Sequence, residues 1–245
     1  MLHISVKSET IFLIFGLKVT NSLLLSLLVF IFFLIAALIY NYQAKKEKKG
    51  AIFFFITFLL RTTYNFFKSI FEDKIDYFFP LVGSFLFFIL LQNWSGLFPG
   101  VGSVLINVQE DYRETLTPLF RGNTADLNTT LSLALISVIF SQYVGIKFLG
   151  IKEYLKKFIN FKNPVVFFTG VMDTISELSK VISFSFRLFG NIFAGEVIIA
   201  IMAFLVPVLL SFPFLLFEVF IGLIQALVFA MLSAVFFNLA IQKIH

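Results

Sequence analysis

Apolar stretches long enough to cross a bilayer recur along this 245-residue chain, and the polar residues between and inside them carry most of the information. The uncharged run 19–43 precedes Lys45-Lys46-Glu47-Lys48-Lys49. It exceeds the roughly 7–15 apolar residues of a signal-peptide core, so it reads as a first span over 20–42 rather than a cleaved leader. The stretch 51–76 starts apolar and then interleaves Arg61, Asn65, Lys68, Glu72, Asp73 and Lys74 with aromatic residues. That pattern predicts an amphipathic helix lying in the membrane interface. A second span is expected over 77–97, closing near Trp94, an interfacial residue type. The stretch 98–128 is polar and reads as an outer loop, and 129–149 forms a third span.

Two longer segments follow, 165–206 and 214–242, separated by Pro207 and Pro213. A helix over the whole of the first would be roughly 60 Å long, against a hydrocarbon core of about 30 Å. It must bend or lie strongly tilted, and the proline turn makes the pair an oblique hairpin. The expected fold class is therefore all-α. It is a single polytopic membrane domain over 1–245 with about five membrane segments, an interfacial amphipathic helix and a long tilted C-terminal helical hairpin.

Composition agrees, with 59% hydrophobic and only 13% charged residues and a mean hydropathy of +0.97. The absence of cysteine excludes disulfides and thiol chemistry. Charge adds an orientation. Lys plus Arg number seven in 43–74 and five in 146–163 (Lys162 among them), but two in 98–127 and two in 1–18. By the positive-inside rule the two basic stretches and the C-terminus near Lys243 are cytoplasmic, and the N-terminus is outside.

The segment 183–196 reads Ser-Phe-Ser-Phe-Arg-Leu-Phe-Gly-Asn-Ile-Phe-Ala-Gly-Glu, with Arg187 deep in an apolar run. An arginine keeps its proton at any physiological pH, and at a bilayer centre it costs about 3 kcal/mol on insertion scales. Glu196 lies 11 residues before Pro207 and Glu218 11 after it. The hairpin thus places the two carboxylates at equal depth, with Arg187 and Gln225 about 13 Å further in. Asp173, Ser176, Glu177, Ser179 and Lys180 lie deeper still. At about 100° per residue, Ser183, Asn191 and Ala194 fall within about 40° of Arg187, while Glu196 points to the opposite side. This small, polar face suits close approach of another helix and places the counter-ion of Arg187 on another polypeptide.

No phosphate loop, nucleophile elbow, dinucleotide fingerprint or paired-histidine metal motif is present, so no cofactor, metal site or nucleotide chemistry is expected on this chain. A self-contained ion-coupled transporter or channel is the alternative reading. Such proteins often show internal repeats and broken midplane helices, which this sequence lacks.

The residues already singled out carry a family resemblance. Arg187-Leu188-Phe189-Gly190-Asn191 with Ala194-Gly195-Glu196 resembles the signature of subunit a of F-type ATP synthases, and Thr124-Ala125-Asp126-Leu127-Asn128-Thr129-Thr130 resembles the motif opening that family's fourth helix. Glu218 and Gln225 fall on the family's positions in the last helix. The resemblance implies an ion-translocating stator subunit in the bacterial inner (plasma) membrane, without nucleotide catalysis of its own. Its implied partners are the c-ring, the b subunits of the peripheral stalk, the other synthase subunits and membrane lipid, with no nucleic acid. Arg187 would face the c-ring and block leakage between two offset half-channels. Glu196, Glu218, Asn191, Gln225, Asp126 and Asn128 would belong to the outer pathway. Asp173, Ser176, Glu177, Ser179, Lys180 and Ser183 would belong to the inner one. The sequence departs from the family where Glu218 replaces a histidine of some members and Val181 replaces a common proline.

Overall fold

A computed structural model describes residues 8–14, 16–98, 100–110, 113–158, 164–206 and 211–242. Pro207, Lys162 and Lys243 lie outside them. Helices α1 (Asn21–Ala44), α2 (Ala51–Phe71), α3 (Ile75–Ser95), α4 (Leu127–Leu149), α5 (Ile151–Phe158), α6 (Pro164–Leu205) and α7 (Ser211–Ala240) dominate. By length and hydropathy, α1, the α2–α3 stretch, α4, α6 and α7 supply five candidate membrane spans. The chain is a multi-pass helical membrane protein.

The polar stretch 98–128, read as an outer loop, contains a short antiparallel hairpin. Strands β3 (Leu105–Glu110) and β4 (Arg113–Pro118) pair antiparallel from Leu105↔Pro118 to Glu110↔Arg113. The runs Leu-Ile-Asn-Val and Thr-Leu-Thr mix β-branched and polar residues, a strand pattern that the surrounding charges obscure. A second hairpin, β1 (Thr10–Ile14) with β2 (Leu17–Thr20), precedes α1. Thr20 then caps α1, its side chain accepting from the Leu23 amide.

Chain direction defines two ends of the bundle. The loop end carries the β3–β4 hairpin, the start of α4, the end of α6 and the start of α7. The α5 end carries the opposite termini. Helix α2 lies across the α5 end. Its first turn stacks Phe53 on Tyr40 near the end of α1, with ring centroids 4.9 Å apart. Its last turn touches both α3 and α7, with Phe71 stacked on Phe78 at 4.6 Å and Asn238 Nδ2 donating to the Ile70 carbonyl at 2.9 Å. The reversal passes through a short 3-10 turn, Glu72–Lys74, in which Glu72 has φ +49°.

Helix α7 sits at the centre. Gly222, Ala226, Ala230 and Ala234 recur every fourth residue, all buried, so a ridge of small side chains lets neighbouring helices approach closely. A Cβ on Gly222 would come within 3.1 Å of the Asn93 Cβ on α3. Asn93 Nδ2 donates to the Gly222 carbonyl at 2.9 Å, and Trp94 Nε1 to that of Val219 at 3.0 Å. These two carbonyls need those donors only as second partners, so the bonds add specificity to the α3–α7 packing. Buried hydroxyl pairs do the same for α4, through Ser137–Ser233 at 2.8 Å and Thr130–Ser185 at 3.3 Å. Phe78, Phe85, Phe184, Phe229 and Phe237 fill the remaining core.

Candidate functional site: the two ends and the open face of α6

Helix α6 is 42 residues long and has different surroundings on opposite sides. Phe184, Ser185, Leu188, Ile192 and Gly195 are buried against α4 and α7. Ser183, Arg187, Asn191 and Ala194 are exposed together on the other side, the grouping that the helical period predicts. Arg187 donates to Ser183 Oγ at 3.2 Å, and among the described residues no carboxylate lies within 4.0 Å of its guanidinium. Exposed Ile182, Phe186 and Ile198 flank this polar strip. Gln225 is buried on α7.

At the loop end, the carboxyl of Glu218 on α7 lies against the backbone of α6 at Gly195. A Cβ there would overlap the carboxyl, so the glycine creates the space the acid occupies. The next residue is Glu196, which brings the two acids together at one level of the bundle, as their equal spacing from the turn predicts. Glu218 is 5% exposed, and its Oε1 has no hydrogen-bond partner among the described residues. Glu196 is paired instead with Arg121, whose Nε lies 3.7 Å from Oε2. Arg121 is itself buried, at 6% exposure. Buried Gln92 Oε1, Asn93 Oδ1 and Thr124 Oγ1, all in the loop-end half of their elements, likewise lack a partner among the described residues. Buried polar atoms of this kind are satisfied by ordered water in folded proteins.

At the α5 end the polar groups satisfy one another. Glu177 accepts from Lys180 Nζ at 2.6 Å and from Gln142 Nε2 on α4 at 2.8 Å. Gln142 Oε1 in turn accepts from the Tyr154 hydroxyl on α5. Lys180 Nζ also sits 4.4 Å from the centre of the Phe236 ring on α7, within cation–π range. Tyr154 is buried in a notch left by Gly145, where a Cβ would overlap its ring. Burial, with the negative charge of Glu177, pushes the Tyr154 phenol up to about 12, so it stays a donor at neutral pH.

This geometry can be set beside known proteins. Residues 22–238 match the family model of the ATP synthase A chain. This chain belongs to that family. It is 36% identical over 185 residues to the ATP synthase subunit a of Syntrophobacter fumaroxidans, a match covering 74% of this chain and 68% of that one. It is 35% identical over 175 residues to the chloroplastic subunit a of Stigeoclonium helveticum, covering 71% and 65%. The chloroplastic subunit a of Oedogonium cardiacum is 37% identical over 175 residues, covering 71% and 64%. The aligned region thus spans about two thirds of the length of these relatives.

Within this ATP synthase A chain homologue, the remaining expected site residues separate. Asp126 is buried at the start of α4. Its Oδ1 accepts from the Asn128 amide at 2.9 Å and its Oδ2 from Ser22 Oγ at 3.0 Å, so it caps α4 and ties it to α1. Asn128 itself is exposed. Asp173 is half-buried, while Ser176 and Ser179 are exposed, Ser179 bonding back to the Ile175 carbonyl at 2.8 Å. Three contributors escaped the sequence reading. Arg121 had counted only as a loop charge, and Gln142 and Tyr154 carried no motif. The available signals were a single arginine shortly before the Thr-Ala-Asp motif and an isolated glycine, Gly145, inside an apolar helix.

Proposed function

We propose that this chain is the ion-translocating stator subunit of a rotary F-type ATP synthase. In this reading its exposed α6 face meets the carboxylates of a c-ring, with b subunits and the rest of the synthase as further partners. The observation that carries the reading is Arg187: a permanent charge on a strip of small and polar residues, with no acid within 4.0 Å among the described residues. A charge so placed in a membrane helix needs an opposite charge from outside the chain, and a passing acid supplies one intermittently. The arginine favours the ionised form of that acid and repels other cations, so ions cannot run straight past it.

Two pathways then have to reach Arg187 from opposite sides. Glu196, Glu218, Asn191, Gln225 and the neighbouring unpartnered polar atoms are the candidates for the outer one. Asp173, Ser176, Glu177, Ser179, Lys180 and Ser183 are the candidates for the inner one. The lysine-rich α5 end is cytoplasmic and the loop end external, by the charge bias between them. The membrane is the plasma membrane, in keeping with the bacterial relative. An ion boards the ring from one pathway and leaves by the other, driven by about 2.3 kcal/mol per charge per 100 mV.

The test is Arg187→Ala in the assembled synthase. ATP-driven proton pumping is expected to fall on the order of a hundredfold, the kinetic equivalent of about 3 kcal/mol. Coupled pumping above about a tenth of the wild-type rate would overturn the assignment. Arg187→Lys is expected to restore little, because a compact ammonium can lose its proton when desolvated.

A further inference from the structure

Two acids share the loop end, but only one has a cation. We propose that Arg121 is a positioning residue that neutralises Glu196 and thereby leaves Glu218 as the member of the pair that exchanges an ion with water. The inference rests on the outer-pathway reading and divides the labour within it.

The chain holds Arg121 deliberately in place. The stretch after β4 returns across the hairpin base, with the Leu119 amide bonded to the Val104 carbonyl at 2.8 Å and the Gly102 amide to that of Phe120 at 3.2 Å. The backbones of Gly96 and Gly122 then cross so closely that a Cβ on Gly96 would lie 3.1 Å from the Gly122 Cα. Arg121, the residue before this crossing, is directed into the bundle, where it meets Glu196. A buried guanidinium without a carboxylate would be strongly destabilising, so Arg121 needs the half-buried Glu196 beside it.

Glu218 has the opposite surroundings. From α6 it lies against Gly195, next in sequence to Glu196, and from α3 its helix meets the uncharged Asn93 and Trp94. Among the described residues it has no ion pair. An incoming cation must compete with Arg121 at Glu196, but meets no competitor at Glu218. The chemistry is transfer of a proton between water and one carboxylate oxygen, with no other bond made or broken.

The test measures ATP-driven proton uptake into inverted vesicles carrying the complete synthase, with subunit content checked by immunoblot. Glu218→Gln is expected to cut uptake at least about tenfold, and Glu196→Gln by a clearly smaller factor, that loss arising from Arg121 left buried without its carboxylate. Arg121→Gln is expected to cost about tenfold, because it leaves Glu196 as a second unmatched acid, and Arg121→Lys should stay within about threefold of wild type. The double variant Arg121→Gln/Glu196→Gln should recover to the level of Glu196→Gln alone, since removing both charges removes the conflict. A merely structural role for Arg121 would leave the double variant as impaired as Arg121→Gln, and that result would overturn the proposal. So would Glu196→Gln being as damaging as Glu218→Gln, a comparison that stands even if Arg121→Gln does not assemble. All variants retain Arg187, so these failures are distinct from pumping by Arg187→Ala, which would overturn the stator reading itself.

Discussion

The two ends of α6 handle buried charge in different ways. At the α5 end, Glu177 has an ammonium and an amide to itself, and the amide is completed by a phenol. The network is closed by protein groups. At the loop end the single guanidinium of Arg121 pairs with Glu196 and not with Glu218, and Glu218, Gln92, Asn93 and Thr124 each keep a buried oxygen without a hydrogen-bond partner among the described residues. A satisfied network fixes the relative placement of α4, α5 and α6, whereas an unsatisfied one favours water. The α5-end cluster thus fastens α4, α5 and α6 to one another, while the loop end leaves buried oxygens for ordered water to satisfy.

The comparison can be broken first at Gly195. Gly195→Ala puts a methyl group where the Glu218 carboxyl now sits. Overpacking of this kind costs about 1–3 kcal/mol, and displacement of the acid should lower proton pumping at least about tenfold. Thermal dissociation of the purified synthase and vesicle pumping would measure the two effects.

A neutralising substitution should then act oppositely at the two ends. Glu177→Gln leaves Lys180 without its anion in a mostly buried site and should destabilise the protein by about 1–3 kcal/mol. Glu218→Gln removes an acid that has no cation, so stability should hold within about 0.5 kcal/mol or rise while pumping falls. Equal losses of thermal stability in both variants would erase the distinction.

The smallest effect is expected at Tyr154. Tyr154→Phe keeps the ring in the Gly145 notch and removes only the hydroxyl bond to Gln142, a loss of about 1 kcal/mol. Gly145→Ala should cost more, since the ring itself must move, and protease sensitivity within 151–158 would report α5 coming loose. If Tyr154→Phe proved the more damaging of the two, the α5-end cluster would be more than a fastening.

How far the sequence could be read depended on the range of each interaction. The open face of α6 followed from helical periodicity alone, because Ser183, Arg187, Asn191 and Ala194 recur within one helix. The meeting of Glu196 with Glu218 followed from counting outward from one turn. The Arg121–Glu196 pair could not be found this way, since 75 positions and the helices α4 and α5 separate the partners, and the turn that directs Arg121 follows a sheet hairpin that charged residues concealed. Asp126 read as a pathway acid, but its bonds to Ser22 and the Asn128 amide also make it a helix cap, a role its position just before an apolar run could have signalled. Tyr154 was invisible because its site is defined by the side chain that Gly145 lacks.

The central claim is that the two ends of α6 open to water on opposite sides of the membrane, with Arg187 between them. Single cysteines can be placed in this cysteine-free chain at Glu196, Glu218, Asp173 and Ser176, and the assembled synthase treated with a membrane-impermeant thiol reagent from one side at a time. The account predicts that Glu196→Cys and Glu218→Cys react only from the external side, and Asp173→Cys and Ser176→Cys only from the cytoplasmic side. Labelling of both pairs from the same side would contradict it.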